Sequence, residues 1–144
     1  MQLIIQQGNL GPKWFHVALR TLVILASSET VLKSHQIADR LGVDATFVRK
    51  ILSKLTKCGY VTSHGGRYGG YLLKVSPKEI TVKDVYVALG DDTSIPFYTV
   101  PSTGVEFLVS QIIDKAESNF QEELKKFTLQ DLVNYKNKQS KMKE

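Results

Sequence analysis

Between Ile37 and Leu55 the apolar positions form two short helical stripes, broken at Gly42. Ile37, Ala38 and Leu41 give the inner face of a helix predicted over Ser34–Leu41, with the Ser34 hydroxyl as its N-cap. Gly42 supplies the turn, because glycine enters the left-handed backbone at least cost. Val43 points back inward, and Asp44 caps a second helix predicted over Ala45–Lys57. On that helix Val48, Ile51, Leu52 and Leu55 share one stripe at i, i+3, i+4, i+7. Thr46, Lys50, Ser53 and Lys57 fall opposite it. Arg49 flanks this polar face on one side, Phe47 and Lys54 on the other.

The same patterning organises the rest of the chain. Pro12 suits the first turn of an apolar helix running to about Ser27, whose Trp14, Phe15, Val17, Ala18, Leu22, Val23 and Leu25 predict a central core element. Residues 1–11 read as a loose arm. After Gly59 the run Tyr60–His64, the glycine-rich Gly65–Gly70 and the run Tyr71–Val75 predict a β-hairpin. Thr81 with Asp84 forms a capping box for a short helix ended by Gly90, with Val82, Val85, Tyr86 and Leu89 inward. Residues 91–102, with Pro96 and Pro101, read as a loop. Thr103 with Glu106 forms a second box. Apolar residues then recur at helical spacing from Val105 to Phe127, about six turns. Thr128 caps a last short helix carrying Leu129, Leu132 and Tyr135, before a polar tail expected to be disordered. The predicted division is a domain over 12–90, a helical region over 103–136 and a tail over 137–144.

Charge sharpens this picture. Residues 1–75 carry ten lysines and arginines against three acids, a net of +7, and residues 76–144 carry nine against eleven, a net of −2. No acid occurs between Asp44 and Glu79, an interval that holds Arg49, Lys50, Lys54, Lys57, Arg67, Lys74 and Lys78. A basic, acid-free interval is what a polyanion surface needs, since each phosphate contact releases counterions. The apolar faces are committed to a core, which argues against a membrane surface as the partner. No apolar run is long enough to span a bilayer, no signal peptide is recognisable, and a single cysteine fits a reducing, cytoplasmic setting.

Two helices joined by a tight glycine turn, the second with a cationic outer face and a hairpin directly after it, predict a winged helix-turn-helix. The fold class is mainly α with a small β-hairpin wing, a winged helix-turn-helix plus a long C-terminal dimerisation helix. The expected partner is double-stranded DNA. Its candidate contacts are Ser34, Thr46, Phe47, Arg49, Lys50, Ser53 and Lys54, with Arg67 and Tyr68 on the wing. A winged helix used only for protein–protein assembly is the rival reading, and the uniform sign of the interval disfavours it. The glycine-rich loop lacks the Gly-Lys-Ser/Thr or Gly-x-Gly-x-x-Gly context of a nucleotide site. No carboxylate pair, nucleophile elbow or metal-ligand spacing suggests an enzyme, and His16, His35 and His64 are too widely spaced for a zinc site. The long C-terminal stripe would be a large exposed apolar surface in a lone chain. Pairing with a second copy through Leu108, Ile112, Ile113, Ala116 and Phe120 resolves this. Cys58, near the buried stripe and beside Lys57, reads first as a small core residue and second as an oxidant sensor. Asp91 and Asp92 read as a helix end and a solvated loop before they read as a cation site.

The stretches KWFHVALRTLVILA, HQIADRLGVDATFVRKILSKLTKCGYV, GGRYGGYLL and ITVKDVYVALG together resemble the Rrf-two family of bacterial winged-helix regulators. That family includes an iron–sulfur cluster regulator, a nitric-oxide-sensing repressor and a cysteine-metabolism repressor. The resemblance covers about Lys13 to Gly90, and the long C-terminal helix is similar to the family's dimerisation helix. It implies a homodimer that binds a palindromic promoter site, usually as a repressor. Cluster-binding members carry three cysteines in the loop before the long helix, whereas the loop here, DDTSIPFYTVPST, has none. Iron–sulfur ligation needs thiolates, so no cofactor is expected, and the effector is a different small molecule or a redox signal.

Overall fold

The computed structural model describes residues 8–90 and 100–142. The arm residues 1–7, the loop residues Asp91, Asp92 and Pro96, and the last two residues of the tail lie outside the described set. The chain divides into two compact units, residues 1–74 and 75–144.

The first unit holds α1 (Lys13–Ala26), α2 (Ser34–Leu41), α3 (Ala45–Lys57), β1 (Val61–His64) and β2 (Gly70–Leu73). α1 packs against α2, α3 and β2, and α3 packs against β1. Its core gathers Phe15, Val17, Ala18, Leu22 and Leu25 of α1 with Ile37, Ala38 and Leu41 of α2 and the full α3 stripe, all buried. Burial of the valine, leucine, isoleucine and phenylalanine side chains is worth about 1.5–3 kcal/mol each, and it fixes which face of α3 remains outside. Ser34 is not the cap of α2. The cap is Lys33, whose amide donates to the Gln36 side chain at 2.8 Å. A lysine side chain offers no acceptor, so only this half of a box forms. Gly42 takes the left-handed turn at φ 69°.

α3 ends in a Schellman arrangement, with Gly59 at φ 83°. The Tyr60 amide donates to Leu55 O at 3.0 Å and the Gly59 amide to Thr56 O at 3.1 Å. This closes the last carbonyls and sends the chain directly into β1. β1 and β2 pair antiparallel, with Ser63 opposite Tyr71 and His64 opposite Gly70. Leu32, just before α2, adds a short third rung: its amide and carbonyl exchange bonds with Tyr71 at 3.1 and 2.8 Å. Gly70 permits that approach, because a Cβ there would lie 2.7 Å from Leu32 O.

The second unit holds α4 (Val82–Gly90), α5 (Glu106–Leu124) and α6 (Leu129–Met142). α4 therefore groups with the C-terminal helices and not with residues 12–74, unlike the domain boundary read at Gly90. Local bonding explains this. A bridge joins Thr81 to Thr128, the Val82 amide donates to Phe127 O at 2.9 Å, and the Leu129 amide to Ile80 O at 2.9 Å. Capping boxes start both helices: Thr81 with Asp84 at 2.9 and 3.0 Å, and Thr128 with Asp131 at 2.8 and 3.1 Å. Tyr86 is half-buried and not fully inward. Its hydroxyl donates to Glu117 at 2.9 Å and its ring meets Phe120 edge-on at 5.2 Å.

α5 is shorter than the six turns read from its stripe, because that stripe runs on through the α5–α6 turn to Phe127. α6 is longer than expected and continues through the tail to Met142. The residues from Lys136 to Met142 include no glycine, proline or β-branched residue, so nothing local stops the helix.

Candidate nucleic-acid interface

The outer face of α3 is built from its start inward. Asp44 accepts from the Phe47 amide at 3.2 Å and fixes the first turn. With Val48, Ile51, Leu52 and Leu55 buried, Thr46, Arg49, Lys50, Ser53 and Lys57 are left exposed on the other side. Arg49 donates to the Thr46 hydroxyl at 3.1 Å, a bond along the helix that holds the guanidinium on the outer face. Lys50 has no acidic partner among the described residues. Phe47 is half-buried, and the Lys13 ammonium lies 4.8 Å from its ring centre. Phe47 therefore belongs in part to the seam between α1 and α3. Lys54 is half-buried.

Arg67 and Tyr68 stand at the tip of the hairpin. Tyr68 is 84% exposed, and the Arg67 guanidinium sits 5.7 Å from its ring centre. The Lys33 ammonium donates to Arg67 O at 2.9 Å, tying the start of α2 to the wing tip. That link joins residues 34 positions apart. It was not legible in the sequence, where Lys33 is one basic residue among many. Ser34 is half-buried in the first turn of α2, close in sequence to this tie. One compact unit thus carries all nine sequence-predicted contacts, on α2, α3 and the wing.

α1 braces the turn of the helix-turn-helix from behind. Arg20 donates to Leu41 O, the last carbonyl of α2, at 3.2 Å and lies 3.5 Å from His16 Nδ1. Burial, followed by the charges of Arg20 and Lys13, holds the His16 imidazole below its ordinary range. His64 is exposed on β1 with its Nε2 3.3 Å from the Thr62 hydroxyl. Cys58 is exposed at the C-cap of α3, contrary to its reading as a core residue. Once Leu55 closes the stripe, the helix ends and turns its last residue outward.

The predicted dimerisation residues occupy α5. No residue of α5 is buried: Phe107 is 77% exposed, Ile113 60% and Ile112 55%. Leu108 and Phe120 are also exposed, as is Ala116. Among the described residues no helix is long and apolar enough to cross a membrane.

A family model described as Rrf2, iron-dependent transcriptional regulator, matches residues 13–135. The protein rrf2 of Nitratidesulfovibrio vulgaris is 36% identical over 67 residues, which span 46% of this chain and 45% of that protein. The HTH-type transcriptional regulator NsrR of Bacillus licheniformis is 28% identical over 127 residues, covering 81% of this chain and 86% of its own. The solved structure of T. potens IscR superposes with a TM-score of 0.69 at 25% identity over 88% of each chain. The iron of the family description meets a poor donor set here. The single cysteine of the chain stands at the end of α3, and among the described residues no three His, Cys, Asp or Glu side chains converge. One thiolate does not hold an iron–sulfur cluster of the usual kind.

Proposed function

The chain belongs to the Rrf2 family of transcriptional regulators, a DNA-binding family, and from that premise we propose how it acts: as a homodimer that represses by occupying a palindromic promoter site. The observation that carries this reading is the exposed, acid-free face of α3 beside the Arg67 wing tip. In this geometry α3 enters the major groove with Thr46, Arg49 and Lys50 toward base edges, and Ser34, Phe47, Ser53 and Lys54 line the flanking backbone. Arg67, with Tyr68 stacked beside it, holds a phosphate or a narrow minor groove. The exposed stripe of α5 supplies the two-fold contact, which sets the half-sites about 34–36 Å apart or a multiple of that.

Sequencing of genomic fragments selected by the purified protein tests the proposal. A palindromic consensus upholds it; enrichment of no sequence overturns it and favours the protein–protein module. On the selected site Arg49→Ala weakens binding by about 1–3 kcal/mol if Arg49 reads a guanine. Equal weakening on random DNA makes Arg49 a phosphate contact instead. Arg67→Ala lowers the salt slope by about one unit, and unchanged binding removes the wing from the interface.

A further inference from the structure

A cleft of about 240 Å³ opens in the first unit between the second half of α3 and the hairpin, lined by Ser53, Thr56, Lys57, Ser63 and Tyr71. Of these only Ser53 belongs to the contact set read from the sequence. The lining comes from two separate elements. Ser53, Thr56 and Lys57 follow one another along α3, and Ser63 and Tyr71 are direct cross-strand partners. Such partners share one face of a hairpin, so both are presented together. Thr56 spends its hydroxyl proton on Leu52 O at 2.7 Å. The hydroxyls of Ser53, Ser63 and Tyr71 and the Lys57 ammonium make no side-chain hydrogen bond among the described residues. The cleft thus brings four uncommitted donors and one full positive charge together, with no carboxylate on its wall.

We propose that this cleft is a seat for one phosphate group of the duplex backbone, held by the Lys57 ammonium and the Ser53, Ser63 and Tyr71 hydroxyls. The proposal rests on the DNA-binding reading and adds a contact to it. A phosphate oxyanion accepts from several donors at once, and hydroxyl and ammonium donors to an anion give short, strong bonds. Seated between recognition helix and wing, the phosphate fixes how deeply α3 enters the groove and at what angle the wing lies. Such a contact positions the protein without reading sequence.

The test needs no knowledge of the operator. Binding of the full chain to a short duplex of mixed sequence is followed across a salt series for the wild type, Lys57→Gln, and the double variant Ser53→Ala with Ser63→Ala. Circular dichroism melts confirm that each is folded. The expected result is a loss of about tenfold at low salt for Lys57→Gln, with its salt slope lower by about 0.9. The double variant should lose affinity with its slope unchanged, because it removes hydrogen bonds and no charge. Unaltered affinity and slope in both variants, with wild-type binding intact, overturn the seat and leave the family function standing. No duplex binding by the wild type overturns the DNA reading, and the seat with it. Inorganic phosphate, titrated against the protein alone, distinguishes the other source of this chemistry. Amide NMR shifts at Ser63 and Tyr71 that Lys57→Gln abolishes, with duplex binding unaffected, make the cleft a small-anion site and overturn its role on DNA.

Discussion

α3 and α5 carry similar apolar stripes, and the structure gives them opposite fates. In α3 the four stripe residues are buried, with Val48, Leu52 and Leu55 at 0% exposure, while α5 over 19 residues buries none. Periodicity alone states only that a face wants cover. α3 finds that cover within its own chain, in α1, α2 and β1, and its other face is thereby fixed as an outside surface. Among the described residues α5 finds only the Tyr86 ring of α4 against Phe120, and Phe107, Leu108, Val109, Ile112 and Ile113 stay exposed, the kind of apolar face that marks an interaction site. The difference separates a residue's structural use from its assembly use. Stripe residues of α3 serve stability at any concentration, and in the dimer proposed above those of α5 serve association.

The strongest way to break this contrast is a charge in the middle of α5. Ile113→Asp would bury a lone carboxylate at the two-fold contact, at a cost of several kcal/mol. The expected outcome is monomers that no longer hold an operator, since one half-site buries little surface, while the winged helix still melts cooperatively. Sedimentation and gel-shift measurements decide it; a variant that stays dimeric, or a wild type already monomeric at micromolar concentration, ends the dimer model. A matched pair of truncations sharpens the contrast. Leu52→Ala should lower unfolding stability by about 2–5 kcal/mol at every protein concentration. Ile112→Ala should act chiefly through dissociation, so that its effect on denaturant midpoints fades at low concentration, where the wild type is also monomeric.

How far these roles were legible depends on the range of the interactions. The bounds of α2 and α3, the turn at Gly42, the Asp44 cap and the hairpin follow from local spacing and local backbone preference. They agree with the structure because no distant partner opposes them. Misreadings occurred where a distant partner or a competing cap decides. Ser34 has the side chain of a cap, but Gln36 reaching back to Lys33 places the helix start one residue away. α4 reads as a continuation of the winged helix until the Thr81–Thr128 bridge, which spans much of the second unit, ties it to α6. The tail has the composition of a disordered segment, yet its lysines and glutamine are also good helix formers, and α6 extends through them. The α3–wing cleft is the clearest case. Ser63 and Tyr71 acquire meaning only from hairpin register, and Lys57 only from the hairpin's approach to α3.

Thr21 offers a smaller test of the first region. Its side chain is fully buried in α1 and its hydroxyl has no hydrogen-bond partner among the described residues. An unmet buried donor costs about 1–3 kcal/mol relative to an apolar group of the same shape. Thr21→Val should therefore raise unfolding stability by about 1 kcal/mol, read by urea melts, without altering DNA affinity. Destabilisation would mean that the hydroxyl is satisfied in solution, and that the core of the winged helix is already optimal there.

The smallest effect concerns how α5 begins. α3 starts on an Asp44 side chain and is then locked by its core, whereas α5 has no buried residue to lock it and relies on Glu106. That carboxylate accepts from the Thr103 amide, the Thr103 hydroxyl at 2.9 Å and the Gly104 amide at 3.1 Å. The Thr103 hydroxyl is thus spent as a donor to the carboxylate, so the box read from the sequence forms on one side only. These bonds, the Thr103 amide foremost, hold Glu106 down from its ordinary value of 4.5 to about 2. The sign follows directly. A carboxyl whose folded pKa is depressed adds stability that is complete above 4.5 and is lost as the pH falls toward about 2. Acidification across that window should therefore loosen the start of α5, and Glu106→Gln should remove the dependence while leaving the winged helix unaffected. Because Glu106 is solvated, the change belongs to local fraying of the helix end and not to global unfolding. A carboxyl-carbon NMR titration checks it: a midpoint near 2 upholds the bonded turn, and one near 4.5 shows that in solution α5 starts without it.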